Sequence, residues 1–340
     1  MSDSSPSMQE WADLYEASAD FKTLGPWDWM TDGQLFGVQS PEDGEMGYCC
    51  VLGNIREVFG LVVYLGSEGL DFYRRVSLSV SPMVTDELRY ELRCLMATFE
   101  SRRSVESRDM KVIKELGLKF RGGSAWPIFR SYEPGYAPWF LTKSQARFLT
   151  LALRHAIEIS KRCVDGEMQV GGPDDEQVLI GFPQIDAGLL KWEHRWIKPD
   201  PPQEAEVITP PLDEVRLRRF RSLSRAGVWE ADLDWSHMTI GDKERPYVPL
   251  LFLCADQDSG LILGFHLSKH DSCHAELVDE FMAIVAKIGV LPNKVVVASK
   301  RLGALLEPVA AKLGVDLKVT RKLKVIPLVR REMLGRFGGF

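Results

Sequence analysis

The run Val228 to Trp235, Val-Trp-Glu-Ala-Asp-Leu-Asp-Trp, alternates apolar and acidic side chains, and this alternation constrains the fold more than any other stretch. Successive side chains of a strand point to opposite faces. Glu230, Asp232 and Asp234 therefore share one face, and Trp229, Ala231, Leu233 and Trp235 the other. A helix would scatter both sets around its axis; an extended strand separates them. The apolar face needs a packed layer. The acidic face needs water, with basic neighbours such as Lys243 and Arg245 balancing its charge, or a divalent metal, since metal-dependent nucleases hold their ions on convergent carboxylates. Solvation is the simpler expectation.

A second constraint lies upstream. Five prolines between Lys198 and Asp213 remove backbone donors and favour an extended, semi-rigid connection. With 340 residues, about two domains are expected. The division predicted is a module over 1–198, a Pro-rich linker over 199–213 and a second domain over 214–340. In the first, spacing predicts helices over 8–19, Ser67–Val76 and 142–164, the last with Thr142 as N-cap. Strands are predicted at 34–38, 46–52, 57–65, 92–99, 176–182 and 188–197. Trp27 and Trp29 in an aromatic turn are expected to pack in the core or to lie as a lid over the sheet rather than to grip a ligand. That mixture is α+β. After a short arginine-rich helix near 212–224, the second domain reads β-β-β-α-β-α-β. Its strands are Val228–Trp235, Tyr247–Ala255, Leu261–Leu267, Val295–Ala298 and Val315–Thr320, and its helices 272–288 and 301–313, with Pro308 inside the latter. A basic tail follows.

Charge is uneven. Residues 205–340 hold 20 Lys/Arg against 17 Asp/Glu, whereas 1–204 hold 22 against 31. Six cysteines without a CxxC pair argue against a disulfide framework and for buried thiols. The polar, acidic start and the lack of a long apolar run point to a cytoplasmic protein with no membrane partner.

Three antiparallel strands followed by two α-β crossovers resemble the ribonuclease-H-like superfamily, and within it the integrase cores. Val228 to Asp232 resembles the integrase first strand, where Trp precedes the first catalytic Asp. Leu253 through Asp256 and Gly260 to Phe265 resembles the second hairpin, and Leu291 to Ser299 the fourth strand. The resemblance implies an α/β ribonuclease-H-like fold. The chain departs from it where an active enzyme carries its second carboxylate: Ser299 stands there, followed by Lys300 and Arg301. The only acid beyond the last strand is Glu332, where a helix would supply the third. The words PWDW (from Pro26), FGVQ (from Phe36), GYCCVLG (from Gly47) and YLGSEG (from Tyr64) also resemble bacterial two-domain proteins of unknown function, which implies no activity.

Three residue sets remain as candidates. Asp232, Asp234 and Asp256 would form a rearranged catalytic site, with a divalent metal as cofactor only in that case. His270, Cys273 and His274 have ligand chemistry, but Asp271 and Ser272 are natural N-caps, which sets His270 ahead of the helix and off the ligand face. Arg216, Arg219, Arg321, Lys322 and Lys324 lie in two basic stretches that would contact phosphates if they converge. The leading expectation is a non-catalytic interaction or regulatory protein with a degenerate ribonuclease-H-like domain, its partner another protein or a nucleic acid. The alternatives are a metal-dependent nuclease and a salt-sensitive nucleic-acid-binding protein.

Overall fold

In a computed structural model the chain divides into two compact units, Met1–Gln203 and Glu204–Phe340. The structure describes residues 5–78, 88–172, 174–186, 189–202, 213–236, 238–241, 245–270 and 273–337, of which 185, 189, 273, 274 and 333–337 are described by backbone alone. Most of the Pro-rich linker, 203–212, lies outside the described residues, as do Lys243, Asp271 and Ser272.

The first unit is built on a seven-stranded mixed sheet. Its strands are β1 (Leu35–Gln39), β2 (Met46–Leu52), β3 (Phe59–Leu65), β4 (Cys94–Glu100), β5 (Trp126–Tyr132), β6 (Val178–Asp186) and β7 (Leu189–Ile197), in the order β5-β4-β3-β2-β1-β6-β7. All neighbours are antiparallel except β1 and β6. Helices α1 (Met8–Leu24) and α4 (Lys143–Val164) pack together on one face, and α2 (Gly66–Ser77) lies against β2 and β3. Period two explains the division. Phe36, Cys49, Val51 and Val63 share a core with Leu14 and Phe21 of α1 and Leu149 and Leu153 of α4. Leu35, Tyr48 and Cys50 face Leu70 and Tyr73 of α2. Adjacent Cys49 and Cys50 thus serve opposite layers, and burial pushes both thiols well above their ordinary range. Thr142 caps α4 through a capping box with Gln145. In the aromatic turn, Trp27 packs on Phe21, Phe59 and Phe99, and the Trp29 indole donates to the Ser160 carbonyl. The sequence did not announce α3 (Ser107–Glu115) or β5. Helix α3 is fastened by Arg130, almost buried on β5, whose guanidinium donates to Glu106 and Asp109 at 2.7–2.9 Å.

The second unit opens with α5 (Glu214–Arg221), N-capped by Asp213, and β8 (Ser224–Arg225). Then follow β9 (Val228–Trp235), β10 (Leu250–Asp256), β11 (Ile262–Ser268), α6 (Cys273–Ile288), β12 (Val290–Leu291), β13 (Lys294–Val297), α7 (Lys300–Leu313), β14 (Asp316–Val319) and α8 (Ile326–Phe337). The main sheet is mixed, in the order β11-β10-β9-β13-β14, with β10 antiparallel to both neighbours and β9, β13 and β14 parallel. Strands β8 and β12 form a separate parallel pair. Trp229 meets Phe281 of α6 edge-on at 6.3 Å, which puts the apolar side of β9 against that helix. In α6, Val278, Phe281, Met282 and Val285 are buried as their spacing predicts, whereas Ile288 in the last turn is exposed. Gly314 ends α7 with φ +64°, the left-handed conformation glycine adopts freely. The tail after β14 was expected only as a basic segment; it forms α8.

Candidate functional site

The acidic side of β9 is where the two expectations for this unit meet. It is not solvated. Glu230 is fully buried and Asp232 is 9% exposed. Helix α8 lies across β9 and β10 on that side, and Ile326 packs against Leu253 and Ala255. Register explains the contact: Leu253 pairs with Asp232 and Ala255 with Glu230, so these apolar side chains sit on the acidic face. A carboxylate beside an apolar layer must find fixed partners or lose its charge.

Glu230 finds them in the chain leading into α8. Its Oε1 accepts from Lys324 N at 2.8 Å, and its Oε2 from Val325 N at 2.8 Å and Ile326 N at 3.2 Å. The Gln257 amide donates to Oε1 at 2.8 Å. The Val325 and Ile326 amides are ones a helix start leaves without intrahelical partners, Lys324 stands just ahead of them, and a carboxylate there also suits the helix dipole. Burial pushes the Glu230 pKa up, but the Gln257 and backbone bonds outweigh it and hold the carboxyl below its usual range.

One turn along, Arg330 Nη1 lies 3.2 Å from Asp232 Oδ2 and 2.6 Å from Asp234 Oδ2. A single guanidinium nitrogen bridges the two carboxylates. Desolvation, with the neighbouring charges of Asp234 and Glu230, raises the Asp232 pKa despite Arg330 and the Leu233 amide. Arg330 Nη2 is buried without a hydrogen-bond partner among the described residues. The expectation of an open acidic face is corrected, since Glu230 and Asp232 are buried. Arg330, 96 residues downstream of Asp234, supplies a counter-charge to Asp232 and Asp234, while Lys243 lies outside the described residues. Pro327 in the first helical turn, with Ile326, Val329 and Arg330 at one-turn spacing, is the sequence signal that could have shown it.

The other candidates are dispersed. Asp256 pairs with Trp229, whose side chain lies on the opposite face from Asp232 and Asp234. The Ser259 hydroxyl and amide bind Asp256 Oδ1 and hold its carboxyl below the usual range. The remaining position of interest, Ser299, caps α7 by accepting from Leu302 N at 3.2 Å. His270 precedes α6, stacks on Trp235 at 5.6 Å and accepts from Arg301 Nη1 at 3.3 Å. His266, on β11, pairs with Glu276 at 3.1 Å. Cys273 and His274 begin α6, and their side chains lie outside the described residues. Among the described residues no group of three or more His, Cys, Asp or Glu is placed to hold a metal ion.

The two basic stretches flank opposite ends of β14. Arg221 donates to the Lys312 carbonyl and Arg225 to those of Leu313 and Gly314, ahead of the strand, so both serve the end of α7. Arg216 lies over the Phe220 ring and 3.9 Å from Asp279. Arg219 is exposed on α5. Arg321, Lys322 and Lys324 follow the strand and are exposed, and Lys324 gives its backbone amide to Glu230.

No helix among the described residues is long and apolar enough to cross a membrane. No curated protein matches the chain at a significant level. Family models match both units: a domain of unknown function, DUF6930, over residues 216–334, and a second, DUF7309, over residues 11–180. The latter spans half of the chain, which belongs to the family defined by that domain and carries the DUF6930 domain after it.

Proposed function

We propose that the second unit is a degenerate ribonuclease-H-like domain, and that the protein has a non-catalytic interaction or regulatory role. The sheet order β11-β10-β9-β13-β14 supports the fold assignment, with the acidic strand β9 at its centre and crossover helices leading to β13 and β14. The observation that carries the functional assignment is Arg330. Its guanidinium stands between Asp232 and Asp234, where a catalytic cation would have to bind. Glu230, the third acid of the strand, has its oxygens committed to the start of α8. Two Mg²⁺ ions about 4 Å apart require several convergent carboxylates with free lone pairs. Here those lone pairs serve a helix.

The test is incubation of the full chain with end-labelled DNA and RNA in Mn²⁺, with calorimetric titration of Mn²⁺ alone. The expected result is no cleavage and no saturable binding. Cleavage that disappears in Asp232→Asn would overturn the proposal in favour of a metal-dependent nuclease.

A further inference from the structure

The first unit is acidic as a whole, yet one segment of it is strongly basic. Residues 102–121 hold seven Lys/Arg against three Asp/Glu, while the rest of 1–203 holds 15 against 27. All seven cations come from the single connection between β4 and β5 and are exposed. The ends of that connection are tied by Ala125 N to the Glu100 carbonyl at 3.1 Å.

Helix α3 forms the middle of the patch. Ile113 is its buried anchor, with Met110, Val112 and Leu116 packed on the same core. At 100° per residue, Arg108, Lys111 and Lys114 fall on the opposite arc, about one helical turn apart. Arg102 and Arg103 precede them on a single 3₁₀ turn, and Lys119 and Arg121 follow. Aromatic contacts draw the parts together. Arg102 sits over the Trp126 ring at 5.4 Å, Phe120 packs on Trp126 at 5.6 Å, and Arg108 lies over Phe140 at 4.4 Å. Two of the three acids, Glu106 and Asp109, are bound by Arg130, which leaves Glu115 alone among these cations. Arg103, Lys111, Lys114, Lys119 and Arg121 make no ion pair among the described residues.

We propose that this face binds the phosphate backbone of a nucleic acid. Cations at one-turn spacing on a fixed helix, with the Asp109 side chain largely buried against Arg130 and the exposed Glu106 paired to the same guanidinium, suit a repeating polyanion rather than one small anion. The rings of Trp126 and Phe140 carry arginines, so the contact is to phosphates and not by base stacking, and it is independent of sequence. A membrane surface fits less well: no large hydrophobic residue between 100 and 126 is among those exposed, so nothing is available to insert between lipids. The proposal concerns a different unit from the acidic strand and does not depend on its assignment.

The test is fluorescence anisotropy of the full chain with labelled single-stranded RNA, single-stranded DNA and duplex DNA, each ~30 nucleotides long, from about 50 to 300 mM NaCl. With four or five phosphates neutralised, log K should fall against log salt with a slope of about −3 on single strands. The triple variant Lys111→Glu, Lys114→Glu, Lys119→Glu should bind at least ~10-fold more weakly with a shallower slope, as should the milder Lys111→Gln, Lys114→Gln pair to a lesser degree. Substituting Arg321, Lys322 and Lys324 by alanine should leave affinity within about two-fold, since those residues belong to the second unit. Absence of binding at about 50 mM salt, or binding that the triple variant leaves unchanged, would overturn the proposal. Tighter, triple-sensitive binding to phosphatidylserine vesicles than to any nucleic acid would overturn it in favour of a membrane.

Discussion

Replacing Glu230 with alanine removes the acceptor on which the start of α8 is built. Three backbone amides, at 2.8–3.2 Å, and the Gln257 side chain would lose it. A buried donor left without an acceptor costs about 1–3 kcal/mol, so three orphaned amides in a fixed helix would come to about 3–9 kcal/mol. A second route is open to the chain: α8 lifts away and the amides meet water. That route gives up the burial of Ile326 against Leu253 and Ala255, about 2–3 kcal/mol. It also gives up the contacts of Arg330 with Asp232 and Asp234, about 1–2 kcal/mol given that Arg330 is 23% exposed. The smaller loss decides the outcome, so docking of α8 should weaken by about 3–5 kcal/mol. Opening of the helix should become more frequent by at least about two orders of magnitude.

Hydrogen exchange on the full chain reads this directly, in the amides of residues 326–332. The Glu230→Gln variant keeps the shape and one carbonyl acceptor and should fall between the two, about 1–2 kcal/mol below the native protein. Protection that stays within about ten-fold of native in Glu230→Ala would refute the reasoning, because α8 would then be held by something other than this carboxylate.

Three further outcomes follow from the same geometry. Arg330→Met should destabilise the second unit by about 1–3 kcal/mol at neutral pH; because the Asp232 pKa is already raised and would rise further, the deficit should shrink as falling pH protonates that carboxyl, and a pH-independent deficit in urea unfolding would count against the pairing. His155 is fully buried, and burial with the adjacent His194 pushes its pKa down to about 3; the unfolded chain takes up a proton near pH 6.5 that the folded chain excludes, so stability is full above that pH and declines below it by about 1.4 kcal/mol per unit. His155→Gln should make that slope shallower between about pH 6.5 and 5, with His194, whose pKa burial also lowers, keeping its own share, and an unchanged slope would assign the acid sensitivity to another group. Gly181→Ala would place a Cβ 2.2 Å from His155 Nε2, costing about 1–3 kcal/mol in denaturant unfolding; the penalty should largely vanish in a His155→Ala background, and simple additivity would show that the clash relaxes elsewhere.

What was legible in the sequence was local. The Val228–Trp235 alternation has one face against α6 and the other under α8, and Thr142 heads its helix as its hydroxyl and Gln145 predict. What escaped depended on distant partners. Pro127 inside Trp126–Tyr132 reads against a strand, yet it lies in β5, where the antiparallel ladder to β4 pairs it with Phe99 at the edge of the sheet. Helix α3 is mostly charged and has one fully buried residue, Ile113, and its acidic first turn is tied to Arg130, 21 residues beyond Asp109, a contact no local pattern announces. The parallel pairing of β1 with β6 joins residues more than 140 apart, which no turn signal announces. The acids of β9 were visible as a set, but the arginine that neutralises two of them belongs to a segment whose composition alone suggested a polyanion contact.

That arginine makes the two accounts of the acidic strand mutually exclusive in a measurable way. A divalent ion at Asp232 and Asp234 would have to expel Arg330, since a guanidinium 2.6 Å from Asp234 leaves no room for a shared ligand sphere. Expulsion would free a charge whose other nitrogen is already buried without a partner, and would pull on a helix whose start is anchored by Glu230. Metal binding and docking of α8 are therefore linked with opposite sign. If the site held metal, Mn²⁺ would speed exchange in residues 326–332, and Arg330→Met would bind it more tightly. If the strand serves only to dock the helix, Mn²⁺ leaves that exchange untouched in the native protein. The carboxylates of β9 are then explained by the helix they hold, with no chemistry needed to account for them.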